Sequence, residues 1–157
     1  MNALLGPVVA AGGTYGIANP TSLLARIIQE EIHNRHQKYS DIVDFIGSYN
    51  MICSKKVFEE IGGFDESFKQ ASAEDNDFAY RLTAAGYKIR HVPNAIVNHY
   101  HPERLLPYLK TQFRHGFWRV KLYQKHPSRM TRGDVYAGFV ELVAPGIALL
   151  SVLSFFA

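Results

Sequence analysis

An α/β fold is predicted for this chain from three observations. Short β-rich apolar runs (Val8 to Ala11, Tyr87 to Val92, Ala95 to His99) alternate with segments whose apolar residues recur every three or four positions. Glycine, proline and asparagine punctuate the junctions between them. The 157 residues, 47% apolar and 20% charged, suffice for one domain with a real core.

The elements are expected in the following order. Val8 to Ala11 reads as a short buried strand, and Gly12-Gly13 as the loop after it. Asn19 is positioned to cap a helix with Pro20 at its first position, and Leu23, Leu24, Ile27, Ile28 and Ile32 give that helix one apolar face. Asp41 to Ile46 and Tyr49 to Cys53 are strand-like. Ser54 then caps a helix with Val57, Phe58 and Ile61 inward, and Gly62 supplies a left-handed stop. After the tight turn Gly62-Gly63-Phe64-Asp65-Glu66, an amphipathic helix opens in acids and runs to Gly86, with Phe78, Leu82 and Ala85 as its apolar side. Two strands follow, broken by Pro93-Asn94. Pro102 begins a long basic amphipathic helix, in two segments because of Pro107, and Pro127 ends it. No internal repeat or low-complexity segment interrupts this order.

Composition narrows the class. The single Cys53 excludes an internal disulfide framework and fits a reducing compartment. Asn19-Pro20-Thr21 is blocked as a glycosylation acceptor by its proline, and the amino terminus lacks the basic start of a signal peptide. Aromatic residues make up 13%, which suits a ligand cleft or a membrane interface. The net charge is only +3, yet Lys110 to Arg132 carries seven Lys or Arg and no acid. From Val135 the chain is apolar to its last residue apart from Glu141 and Pro145-Gly146. A spanning helix needs about 20 such residues. The run is expected to be a truncated transmembrane helix, with a buried core helix as the alternative. Basic residues before a span place that side in the cytoplasm.

Three constellations can carry chemistry. Ser72-Ala73-Glu74-Asp75 fits a capping box, in which carboxylates favour the positive helix end. Capping alone leaves three acids within four residues (Glu74, Asp75, Asp77) unexplained, and a carboxylate held ionised there suits a general base. In His99-Tyr100-His101, strand alternation puts both imidazoles on one face, able to hold a metal or contact a phosphate, unless both are simple surface histidines. Glu30, His33 and His36 read as a solvated helix face. In Gln112 to Arg119, Arg114, His115 and Arg119 interleave with Phe113, Phe117 and Trp118. Such a pattern serves nucleic acid, anionic lipid or a diphosphate, and the apolar run that follows favours a helix on a membrane surface.

In order and spacing the chain resembles the C-terminal half of an inverting family 2 glycosyltransferase of GT-A fold, of the membrane-attached polysaccharide-synthesis type. The marks run from about Gly12 to His126: Gly12-Gly13, Gly47-Ser48-Tyr49-Asn50, Val57 through Gly62-Gly63-Phe64-Asp65-Glu66, Glu74-Asp75-x-Asp77, Gly86-Tyr87, Val92-Pro93 and Val97-x-His99. The resemblance implies a Rossmann-like C-terminal half in residues 1–101, interfacial helices in 102–132 and the start of a transmembrane segment in 133–157. It implies Asp75 as the catalytic base, with Glu74 and Asp77 positioning the acceptor or Asp75 itself. Gly47 and Asn50 would floor the acceptor and donor cleft, and His99 would approach the metal or diphosphate. Gln112, Arg114 and Trp118 are similar to the Gln-x-x-Arg-Trp motif of processive synthases but spaced differently, with Arg two residues and Trp six after Gln.

The substrates so implied are a nucleotide-sugar donor and a saccharide or lipid-linked acceptor, with no nucleic acid, at the cell inner membrane with a cytoplasmic catalytic part. The implied cofactor is Mg2+ or Mn2+, held in that family by an Asp-x-Asp motif that precedes this half. No Asp-x-Asp occurs before Gly12, and Asp75-x-Asp77 has the spelling at the base position. The chain alone is therefore expected to be inactive. The rival reading is a non-catalytic membrane-surface or partner-binding module, and nucleic-acid binding through Lys110 to Arg132 is a third.

Overall fold

The computed structural model describes residues 6–69 and 72–135. Four strands form one mixed sheet in the order β2-β4-β1-β3. β1 (Val8–Ile17) pairs in parallel with β4 (Lys88–His99) and antiparallel with β3 (Met51–Cys53), while β2 (Ile42–Val43) pairs antiparallel with β4. The helices are α1 (Leu23–His36), α2 (Lys55–Glu60), α3 (Glu74–Ala84), α4 (Leu105–Lys125) and α5 (Pro127–Arg132). The α/β class holds.

Gly12-Gly13 is the first correction. The pair lies inside β1 rather than in a loop after it, because the backbone there has neighbours where side chains would go. A Cβ on Gly12 would lie 2.4 Å from Ile46 Cγ2, and one on Gly13 would lie 1.8 Å from the Ala95 carbonyl oxygen. The crowding at Gly13 comes from β4. Its register against β1 jumps from Gly12↔His91 to Thr14↔Ile96, so Pro93-Asn94 makes a bulge in one long strand instead of separating two. The Asn50 side chain donates to the Ala95 carbonyl at 2.8 Å and to the Thr14 carbonyl at 3.4 Å, giving partners to groups the bulge leaves out of the ladder.

Three helix starts also differ from expectation. Ser22, not Asn19, caps α1 by accepting from the Ala25 amide. Asn19 instead exchanges hydrogen bonds with the His101 backbone, at 2.9 and 3.0 Å, and ties the exits of β1 and β4 together. At α3 the cap is Ala73, in the left-handed region at φ 84°, with no side-chain cap bond; the Ser72 amide donates to Glu74 Oε2 at 2.6 Å. α4 is a single helix, since Pro107 falls in its first turn, where its missing N–H has no intrahelical partner to lose. The expected strands around residues 41–53 shrink to β2, a 3-10 turn at Ser48–Asn50, and β3.

One core packs α2 and α3 on the sheet through Val57, Phe78, Ala79, Leu82, Ile89 and Ile46. A second, smaller cluster joins α3 to α4 through Tyr80, Phe68 and Leu122. The Gly-Gly-Phe-Asp turn is stapled between them. Arg81 of α3 donates to the carbonyls of Ile61 and Gly63, Phe64 packs edge-on against Phe58 and Phe78, and Asp65 pairs with Lys125 of α4. The turn thereby fixes where α3 begins.

No helix among the described residues is long and apolar enough to cross a membrane. The expected transmembrane segment lies, from residue 136 on, outside the described residues.

Candidate functional site

The amino end of α3 and the segment Phe45 to Tyr49 face each other across a cavity of about 280 Å³. Asp75 projects from the first turn of α3 and is gripped by backbone amides. Its Oδ2 accepts from Ser48 at 3.2 Å and its Oδ1 from Asn76 at 2.9 Å. Burial pushes the carboxyl above the usual carboxylate range, the Ser48 bond opposes that, and Glu74 beside it adds to the rise. The shift thus runs against the sequence expectation that the helix end would favour the ionised form, burial outweighing it. The result is a more basic carboxylate held in one orientation.

Gly47 belongs to this arrangement. A Cβ there would approach the Tyr49 ring at 2.6 Å and Asp75 Oδ2 at 3.6 Å. Tyr49 donates to the Gly13 carbonyl at 3.2 Å, and its ring stacks on Tyr15 with centroids 3.5 Å apart. Both tyrosines line the cavity. Glu74 lines it too, while α4 contributes His115 and Arg119 to the wall. His36 and Tyr39 also line the cavity.

The other sequence candidates lie elsewhere. Asp77 is 2% exposed and points away from the cavity, paired with Arg81 at 2.9 Å and His126 at 2.8 Å, so it anchors helices instead of contacting an acceptor. Asn50 serves the β1–β4 bulge. Gln112 and Arg114 are exposed on α4, outside the cavity lining, and Trp118 packs against Phe68 at 5.8 Å between ring centroids. His36 is buried, not part of a solvated helix face, and its ring stands 6.3 Å from that of His91.

His99 stacks on His101 and lies tilted against Tyr15, and His101 Nε2 is engaged by Gln29 Oε1 at 2.9 Å. Among the described residues no three of His, Cys, Asp or Glu converge as metal ligands. These residues do not by themselves fit the divalent ion that the resemblance implies.

Sequence reasoning gave no individual site role to His115, Arg119, Tyr15 or Ser48, placing the first two only within a basic aromatic stretch. The first two had a signal: four residues apart on a helix, they share a face. Ser48 acts through its amide, which no side-chain pattern reveals.

Residues 8–156 match the profile of Glycosyl transferase family group 2. The chain belongs to that family. Relatives of this family group 2 chain include the "Pre-mycofactocin glycosyltransferase" of two Mycobacterium tuberculosis strains (CDC 1551 / Oshkosh and ATCC 25618 / H37Rv), 28% identical over 116 residues. The match covers 71% of this chain and 24% of the relative. The "Succinoglycan biosynthesis protein ExoA" of Rhizobium meliloti (strain 1021) is 31% identical over 102 residues, or 65% of this chain and 30% of the relative. The chain thus spans about a quarter of the length of the first of these relatives. No solved structure matches it.

Proposed function

We propose that this family group 2 chain supplies the acceptor side and the base of an inverting sugar transfer. Asp75 takes the proton from an acceptor hydroxyl as that oxygen attacks the anomeric carbon of a nucleotide-activated sugar. The new glycosidic bond forms with inversion as the bond to the diphosphate breaks, and the nucleoside diphosphate departs with the electron pair. The observation that carries this reading is the carboxylate itself: raised in basicity, clamped by two amides and open to a cavity. Glu74, His115 and Arg119 border the same space and would orient the acceptor. The acceptor so proposed is a saccharide or a lipid-linked saccharide, and of the named relatives the succinoglycan biosynthesis protein is the one whose name supports a polysaccharide product.

The nucleic-acid reading loses support from the fate of the basic run. Lys121 donates to the Ser67 carbonyl, Lys125 pairs with Asp65, Arg129 with Asp44 and Arg119 with Asp134. Those cations hold the fold together and do not form one continuous phosphate-binding face.

The test is Asp75→Asn in the full-length context, assayed with a panel of nucleotide sugars and saccharide acceptors. Loss of a general base predicts a fall of about 10²–10⁴ in kcat with circular dichroism unchanged. Undiminished transfer by a folded Asp75→Asn protein would overturn the assignment.

A further inference from the structure

Charge around the Asp75 cavity narrows what it can hold. The lining carries two carboxylates, Glu74 and Asp75, against one guanidinium, Arg119, whose charge is answered by the fully buried Asp134 at 3.8 Å. The two imidazoles of the lining add no charge at neutral pH. Burial, the largest cause in each case, lowers His36 from 6.5 to about 4 and shifts His115 in the same direction. Residues 1–5, 70–71 and 136–157, outside the described set, contain no Lys, Arg or His to supply a missing side-chain cation. His36 is also the polar group of this site that the fold leaves unused. It ends α1, is 8% exposed, and its ring takes no hydrogen bond from any described residue. Its aromatic neighbours are Tyr39 at 4.9 Å and His91 at 6.3 Å between centroids, and Nε2 of His91 is likewise buried without a partner among the described residues. Buried polar groups are normally paired, and of these two rings His36 is the one that borders the cavity.

We infer that the acceptor ring beside Asp75 is an uncharged sugar, which His36 selects by exchanging hydrogen bonds with one of its hydroxyls, and that uronic acids and other anionic sugars are turned away. The inference rests on the reading of this cavity as the acceptor side and adds the class of sugar it takes. A neutral imidazole offers one donor and one acceptor. A hydroxyl, itself donor and acceptor, matches both, whereas a carboxylate can only accept. An anionic ring would also lie against Glu74 and Asp75 with no uncompensated cation in reach, and like charges brought together in a poorly solvated space repel strongly. The cavity, at about 280 Å³, lies at the small end of ligand pockets and suits a single ring. Tyr15, Tyr39, Phe45 and Tyr49 give it aromatic walls for the C–H side of that ring.

The experiment reads binding, not transfer. The 157-residue chain is titrated at neutral pH with matched pairs of methyl glycosides and the methyl glycosiduronates of the same sugars, followed by saturation-transfer NMR. In every pair that binds, the neutral member is expected to bind about tenfold or more tightly, and Glu74→Gln should narrow the gap by removing a repelling charge. His36→Phe keeps a ring without a polar atom and should weaken the neutral ligand about tenfold, while His36→Gln, which can still donate and accept, should restore most of the loss. Equal or tighter binding of the glycosiduronates would overturn the inference. So would unchanged affinity in a His36→Phe protein whose circular dichroism matches the parent, or no saccharide binding by the folded parent. The comparison of paired ligands on the parent decides the matter even where His36→Phe does not fold. The Asp75→Asn transfer assay reads none of these affinities, so the assignment of the base and the choice of acceptor fail separately.

Discussion

Asp75 sits between opposed influences, and their balance links stability to function at a single residue. Burial, the largest, raises its pKa, while the Ser48 and Asn76 amides lower it. With the folded value above the unfolded one, the native state binds more protons in that window. The contribution of Asp75 to stability is thus present at low pH and lost as pH rises through its raised pKa. Asp75→Asn should therefore be as stable as the parent or more stable at neutral pH, with the advantage shrinking below the carboxylate range, as read by urea unfolding at both pH values. His36 behaves in the opposite sense. Burial, then His91 and His33, lowers its pKa from 6.5 to about 4. The fold resists protonating it, so its contribution is full above 6.5 and is lost as pH falls toward about 4. Thermal unfolding of His36→Gln across that range should show a shallower acid-side decline than the parent. The serine-centred cap was read from a sound pattern, yet Ser72 points no hydroxyl at α3. Glu74 reaches back to its amide instead, a bond between residues two apart whose direction spacing does not settle.

Among elements, α3 and α4 define the cavity, and polar contacts on their other sides hold them together. Asp77 is the hinge pin, with Arg81 from its own helix and His126 from the end of α4 on its two oxygens. Removing His126 leaves half of a buried carboxylate without its partner. His126→Ala should cost about 1–3 kcal/mol in chemical denaturation, with more loss than for an exposed cation such as Lys55, whose pair with Glu59 is solvent-screened. The elements themselves were legible where one period ran long enough: α1, α3 and α4 each carry a 3.6-residue apolar pattern. The strands near residues 41–53 were not, because β2 and β3 have only two and three residues. Their pairing depends on neighbours distant in sequence.

For the molecule as a whole, the described carboxyl-terminal arm is tied down by polar contacts at Asp134 and Asp44 together with the small apolar cluster around Leu122. Asp134, its side chain 0% exposed, accepts from Tyr80 and Asn76 and pairs with Arg119, while Asp44 takes Arg129 and the Val135 amide. Loss of these contacts should release the arm before the sheet. In Asp134→Ala, hydrogen exchange of α4 and α5 amides should accelerate strongly while β1 and β4 stay protected. Uniform acceleration across the chain would show that arm and sheet unfold as one unit.

By itself the sequence determined the α/β class, the turn at Gly62-Gly63 and the acidic start of α3, because local periodicity and backbone preference act within a few residues. It also brought Asp75 forward among its neighbouring acids by resemblance. Only the tertiary structure separated the acids physically. Asp75 faces a cavity across from Ser48, and Asp77, two residues on along the helix, faces Arg81 and His126 in the interior. The distinction rests on which distant segments pack against each side of one helical turn. It likewise moved the α4 contribution from Gln112, Arg114 and Trp118 to His115 and Arg119, since the side of a helix that faces a cleft is set by what the helix packs on.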